Sequence, residues 1–285
     1  MINSDYDLDV PIHWCPGCGN YGTLNVVKES LDELGLKPNE VVIVSGIGQA
    51  GKFTHFIKSN RLNGLHGRYI SNALGIKASN PNLTVIAISG DGCTYSEGGN
   101  HFLHTIRYNP DIVNIVSNNQ VYGLTKGQAS PTSILGFKTK VQNRGVYNEP
   151  FNAVAVAISL NASFVARAFI GDSEQTREIL LKAIQHKGYA LIDLFSPCVS
   201  FNRVNTYAWY KENTYYLDDS HDPTDQSQAM KLALQKDKFP LGILFMNKSR
   251  LTFEENIGIY ESDNSPLYNR NLDLSKFEQL VNKFR

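Results

Sequence analysis

The sequence predicts an α/β fold: a doubly wound, mostly parallel sheet. Short continuous runs of β-branched and aliphatic residues recur along the chain, and each stops at Gly, Asn or Pro. Amphipathic stretches lie between these runs, so strand and helix alternate from residue 20 to residue 195 with no internal repeat.

The elements follow in order. Residues 20–34 place Leu24, Val27, Leu31 and Leu34 on one helical face. Val41–Ser45 is a strand ending in Gly46-Ile47-Gly48. Residues 68–77 are expected to be helical, and 83–89 form a strand that runs into Gly90-Asp91-Gly92. A helix over 98–107 leads to a strand over 112–116, which ends in Ser117-Asn118-Asn119. Phe164–Phe169 is a strand closed by Gly171-Asp172. Ser173 and Gln175 then open an amphipathic helix carrying Ile179, Leu180, Ala183 and Ile184, with Ser173 as its expected cap. Ala190–Phe195 is a strand ending in Ser196-Pro197-Cys198. Beyond it the texture changes. Residues 203–225, rich in Tyr, Asn, Asp and Thr, read as an irregular arm. A short helix is expected over 229–234 and a last strand over 241–245. Residues 247–285 are polar and weakly periodic, a tail over the core or over a partner. The expected division is a cofactor-binding α/β domain over 1–195 and an extension carrying Cys198 over 196–285.

Composition narrows the function. The chain has 285 residues, 42% hydrophobic and 19% charged, enough for a large core and too apolar for disorder. Lys and Arg total 27 and so do Asp and Glu, which argues against a nucleic-acid partner that neutralises phosphates. No apolar run reaches the roughly 18 residues of a membrane span. The longest, 151–170, is broken by Asn152, Ser159, Asn161, Ser163 and Arg167. Residues 1–10 are acidic and lack an apolar signal core. Four cysteines in a chain this long do not make a disulfide scaffold, so reduced thiols and a cytoplasmic location are expected.

Asp91 and Asn119 stand at successive predicted strand ends, one strand–helix–strand crossover apart. In a parallel sheet both loops then lie at the carboxyl edge, where ligands bind. The Asp91 carboxylate, the Asn119 amide oxygen and the Val121 carbonyl are three hard oxygen donors suited to Mg²⁺, with phosphate oxygens and water completing an octahedron. A helix start after Asp91 adds peptide N–H groups for the anion. The pair therefore reads as a metal-bridged diphosphate site, against the bland alternative of two ordinary turns. The glycine-rich turn 46–51 lets backbone approach a cofactor, a weak signal alone, as is His66-Gly67-Arg68. Cys15-Pro16-Gly17-Cys18 fits a redox pair, half a zinc knuckle, part of an iron–sulfur site, or two free thiols in a structural turn.

Together, Trp14-Cys15-Pro16-Gly17-Cys18-Gly19, Gly46-Ile47-Gly48, Leu65-His66-Gly67-Arg68, Gly90-Asp91-Gly92, Gly98-Gly99-Asn100-His101, the run 118–128 from Asn118-Asn119 to Lys126-Gly127-Gln128, and Ser196-Pro197-Cys198 resemble the β subunit of 2-oxoacid:ferredoxin oxidoreductases. The resemblance spans roughly residues 10–250. It implies a sheet of the thiamine diphosphate-binding type and a [4Fe–4S] cluster. It also implies oxidative decarboxylation of a 2-oxoacid such as pyruvate or 2-oxoglutarate to acyl-CoA and CO₂, with electrons passed to ferredoxin. Carried over by position, it gives Mg²⁺ to Asp91, Asn119 and Val121. It gives thiamine diphosphate to Ile47, Gly48, Gln49, Ala50, His66, Gly90, Gly92, Cys93, Gly123 and Leu124. Cys15, Cys18 and Cys198 match three cluster ligands, and Lys52 and Lys126 fall in motifs near the active site. The implied partners are an alpha (or fused gamma-alpha) subunit, in a heterodimer or heterotetramer, together with ferredoxin, the 2-oxoacid and coenzyme A. The carboxylate that activates the cofactor is expected from the partner subunit.

Two positions depart from the family pattern. Gln49 replaces a cluster cysteine, and Cys93 stands where the family usually has Asp. Cys93 is one candidate fourth ligand. The rivals are a three-thiolate cluster with an open or oxygen-ligated iron, and no cluster at all. Loss of the thiol at position 49 also keeps open a non-redox thiamine-dependent decarboxylase subunit and a noncatalytic scaffold subunit.

Overall fold

The computed structural model describes residues 4–271 and 273–285. Eight strands form one sheet: β1 (Val41–Ser45), β2 (Asn60–Asn63), β3 (Thr84–Gly90), β4 (Val113–Asn118), β5 (Phe164–Phe169), β6 (Ala190–Phe195), β7 (Thr214–Tyr216) and β8 (Phe239–Met246). Their spatial order is β2-β1-β3-β4-β6-β5-β8-β7. The pairs from β2 through to β5 are parallel. β8 runs antiparallel to β5, and β7 lies parallel to β8 at the edge.

Both faces of the sheet are covered, which is why its central strands read as unbroken apolar runs. Alternate residues serve opposite faces. Ile43, Ile86, Ile115 and Ile192 pack with Leu24, Val27 and Leu31 of α1 (Gly19–Glu33) and with Ile179, Leu180 and Ala183 of α5 (Ser173–Gln185). Val44, Val85, Val116 and Leu191 pack against α2 (Tyr69–Ser79), α3 (Gly99–Tyr108), α4 (Ala153–Ser159) and α7 (Gln226–Ala233). The expected strands and helices are found within a residue or two of their expected ends, except that α7 starts three residues early, at Gln226. The cap of α5 is Asp172 rather than Ser173: the Asp172 carboxylate accepts the Gln175 N–H at 3.1 Å.

Three parts differ from the reading of the sequence. The arm 203–225 contains α6 (Tyr207–Asn213) and β7, and Tyr210 of α6 is fully buried with Phe169, Phe195 and Leu241. β2 is exposed at every position, so it carries no apolar signature. The tail contains two helices, α8 (Phe253–Asn256) and α9 (Leu274–Asn282). Its first part lies on the core, where Tyr260 donates to the Ala78 carbonyl at 2.7 Å.

One buried polar knot ties the sheet to the loops above it. Asp193 on β6 accepts from Tyr95 Oη and from Asn118 Nδ2, both at 3.0 Å, and faces Arg167 Nε of β5 at 3.6 Å. The Arg167 guanidinium lies over the rings of Phe195 and Phe239. Asp193→Ala strands that buried cation and two donors, and should cost about 3–5 kcal/mol. Urea unfolding of the two proteins measures this, and a change below about 1 kcal/mol, the scale of an exposed ion pair, would contradict it.

Candidate cofactor-binding site

Strands β1, β3, β4 and β6 are neighbours and parallel, so the loops after them share the carboxyl edge of the sheet. A pocket opens there. Its walls include Ile47, Gln49 and Ala50 after β1, Asp91 after β3, and Asn119, Val121 and Leu124 after β4. His66, Gly48, Gly90, Cys93 and Gly123 also line it, whereas Gly92, the remaining residue of the expected cofactor set, does not. Gly92 lies beneath the Tyr122 ring, where a Cβ would stand 2.2 Å from Cε1. A side chain at position 92 would therefore push the ring away.

Asp91 is 1% exposed, and burial raises its carboxyl pKa to about 6. Thr132 Oγ1 donates to its Oδ2 at 2.6 Å. Among the described residues no Lys, Arg or His pairs with it. The Asn119 Oδ1 accepts the Val121 N–H at 3.1 Å, a local turn that brings the amide oxygen and the residue 121 peptide to the same wall. The expected helix start after Asp91 is a π-helical turn, Gly92–Glu97, leading into α3.

His66 Nδ1 stands 3.3 Å from Glu97 Oε2, and Tyr122 Oη donates to the same carboxylate at 3.1 Å. Tyr122 and Thr125 also line the pocket. The sequence reading missed Thr132, Ser130, Tyr122 and Glu97. Thr132 and Ser130 lie in the irregular stretch between β4 and α4, and only the fold returns them to Asp91. Lys52 and Lys126 are not brought together here. Neither lines this pocket, and Lys126 borders a separate groove with Phe137 and Phe201. Its tight turn explains the divergence: Lys126 has φ 74° and Gly127 φ 106°, which reverses the chain after Leu124.

The turn Cys15–Cys18 packs on the loop after β6. A Cβ on Gly19 would stand 2.3 Å from Ser196 Oγ, and one on Gly17 would stand 3.7 Å from Val199 Cγ1. The Cys18 thiol is pushed up to about 11, by burial first and then by the nearby Cys198 and Cys15 thiols. Among the described residues no three His, Cys, Asp or Glu converge on one ion position, so the Cys-x-x-Cys pair acquires no further zinc ligands. Cys93 is held elsewhere. Its Sγ accepts the Gly67 N–H at 3.2 Å, and it packs so closely on Gly46 that a Cβ there would lie 2.5 Å away.

The pocket edge thus combines a buried acid and an amide at adjacent ends of parallel strands. The family model described as the thiamine pyrophosphate enzyme C-terminal TPP-binding domain matches residues 45–194. A second, describing the C-terminal region of the pyruvate ferredoxin oxidoreductase beta subunit, matches 198–262. A 2-oxoacid:ferredoxin oxidoreductase subunit beta of a Sulfolobus species is 42% identical over 95% of this chain and 91% of its own length. The subunit of that name from Saccharolobus solfataricus is also 42% identical, over 90% and 87%. A chain of the solved 2-oxoglutarate:ferredoxin oxidoreductase from Magnetococcus marinus, with 2-oxoglutarate, coenzyme A and succinyl-CoA bound, superimposes with a TM-score of 0.91 at 34% identity, covering 97% of this chain and 94% of that one. The chain belongs to the 2-oxoacid:ferredoxin oxidoreductase β-subunit family.

Thr132 Oγ1 also lies 2.9 Å from Asn118 Oδ1, so its single proton is shared between the two strand ends. Thr132→Val is expected to lower stability by about 1–3 kcal/mol by leaving buried acceptors unpaired. Thr132→Ser should recover most of that loss. Thermal unfolding of the three proteins checks it; equal losses in both variants would point to packing instead.

Proposed function

We propose that this chain is the thiamine diphosphate- and Mg²⁺-binding half of an enzyme that converts a 2-oxoacid and coenzyme A to an acyl-CoA and CO₂, passing electrons through an iron–sulfur cluster to ferredoxin. The observation that carries the proposal is the Asp91 carboxylate, buried without a paired cation on the wall it shares with Asn119 and Val121. A lone carboxylate is costly to keep ionised out of water, and a divalent cation among hard oxygen donors offsets that cost. Asp91, Asn119 and the Val121 carbonyl would hold Mg²⁺, with Thr132 orienting the carboxylate. Ile47 to Ala50, Gly90, Gly123 and Leu124 would frame the cofactor, and His66, set by Glu97, stands at its rim. When bound, thiamine diphosphate supplies the electron sink for decarboxylation.

Cys15, Cys18 and Cys198 are the proposed thiolate ligands. The turn Cys15–Cys18 packs on the loop that carries Cys198, and Cys15 and Cys198 lie near enough to Cys18 to add to the rise of its thiol pKa. The activating carboxylate is assigned to the alpha partner, so the active site is shared. We assign residues 1–195 to the cofactor and 196–285 to Cys198 and the partner-contacting arm. No helix among the described residues is long and apolar enough to cross a membrane. The free thiols accord with a reducing cytoplasm.

The full chain, co-expressed with its alpha partner and purified anaerobically, should reduce ferredoxin when given a 2-oxoacid, coenzyme A, thiamine diphosphate and Mg²⁺. The chain alone should not, and turnover by it would refute the shared site. In the complex, thiamine diphosphate with Mg²⁺ at a hundredfold excess over Kd should add about 2.7 kcal/mol of stability. Asp91→Asn removes an uncompensated buried charge, so it should leave the metal-free fold at least as stable while abolishing that gain. A normal gain in Asp91→Asn would remove Asp91 from the metal site.

A further inference from the structure

We propose that Gln49 completes the iron–sulfur site through its side-chain amide oxygen, giving three thiolates and one neutral oxygen donor. This rests on the assignment of Cys15, Cys18 and Cys198 to a cluster. Three observations place Gln49 with them. The Trp14 indole N–H, adjacent to Cys15 in the chain, donates to the Gln49 carbonyl at 2.8 Å and fixes its backbone against the cysteine turn. A Cβ on Gly123 would stand 3.6 Å from Cys198 Sγ and 3.9 Å from Gln49 Cγ, so the two side chains flank one spot. Gln49 Oε1 is buried with no hydrogen-bond partner.

The last observation is the most telling. A buried amide oxygen without a donor costs about 1–3 kcal/mol, and native structures rarely leave one so. Trp14 and the turn at Ala50–His55 hold the Gln49 main chain in place, which sets its side chain at this wall. A Lewis-acidic iron at the fourth corner satisfies it. Cys93 Sγ instead accepts the Gly67 N–H and packs on Gly46.

The chemical consequences are specific. An amide oxygen is a hard, neutral donor and binds iron more weakly than thiolate does. The iron it holds is the first lost when the cluster is oxidised, leaving a three-iron cluster on the three cysteines. With one negative ligand fewer, the cluster also takes up an electron more readily than its all-cysteine counterpart, because net charge sets the potential.

The test uses the anaerobic complex of the full chain with its partner, as wild type, Gln49→Cys and Gln49→Ala, each checked for thiamine diphosphate and Mg²⁺ binding by thermal shift. Iron, sulfide and electron paramagnetic resonance are followed during brief ferricyanide oxidation. Wild type is expected to lose about one iron in four and to develop a three-iron signal. Gln49→Cys should retain its iron and show a lower reduction potential, and Gln49→Ala should lose iron faster than wild type. Equal rates in wild type and Gln49→Ala, or wild type as resistant as Gln49→Cys, would overturn the ligation. A wild-type complex that binds thiamine diphosphate but holds no iron or sulfide would overturn it while leaving the cofactor site standing. Failure to bind either would reject the proposed function itself.

Discussion

The Asp91 carboxylate is withdrawn from water at the carboxyl end of the central strand β3. Burial alone pushes such a group toward its neutral form, as the rise of its pKa to about 6 records. Its surroundings are arranged around that cost. Thr132 is brought back from the irregular segment after β4 to hold one oxygen, and the same hydroxyl engages Asn118. Asn118 in turn reaches Asp193, which Tyr95 and Arg167 also share. A single polar chain therefore runs from the pocket wall into the middle of the sheet. It makes the two loop tips that face the proposed cation part of the core rather than free ends.

The sheet order sets where the chemistry converges. The strands preceding Gly46, Asp91, Asn119 and Cys198 lie side by side, all pointing the same way. The pocket and the cysteine side are therefore neighbours, joined through Gln49 and Gly123, which belong to both. An electron leaving a cofactor in the pocket would meet the thiolate side directly. On the proposed assignments, position 49 therefore faces both the thiamine diphosphate pocket and the cysteine side.

The far edge of the sheet serves another purpose. β8 reverses direction beside β5, and the Phe169, Phe195, Tyr210 and Leu241 cluster seals the arm that follows Cys198. The Cys198 loop is thereby anchored on both sides, by this aromatic cluster and by the start of α1. α9 lies at the opposite extreme, with Leu274, Phe277 and Leu280 exposed.

The sequence alone determined the alternation of strands and helices, since unbroken apolar runs in strands covered on both faces and patterns of period 3.6 in helices are local consequences of burial. It also located Asp91, Asn119 and Val121, because strand-end loops of a parallel sheet must share one edge. It could not show that Thr132 returns to Asp91, that Lys126 turns away, or that Cys93 is enclosed by Gly46 and Gly67. Each of those depends on where a loop closes, and loop closure carries no periodic signal. The antiparallel entry of β8 and the burial of Tyr210 were likewise decided only by tertiary packing, because strand order reflects which faces fit together in space rather than any residue's own preference.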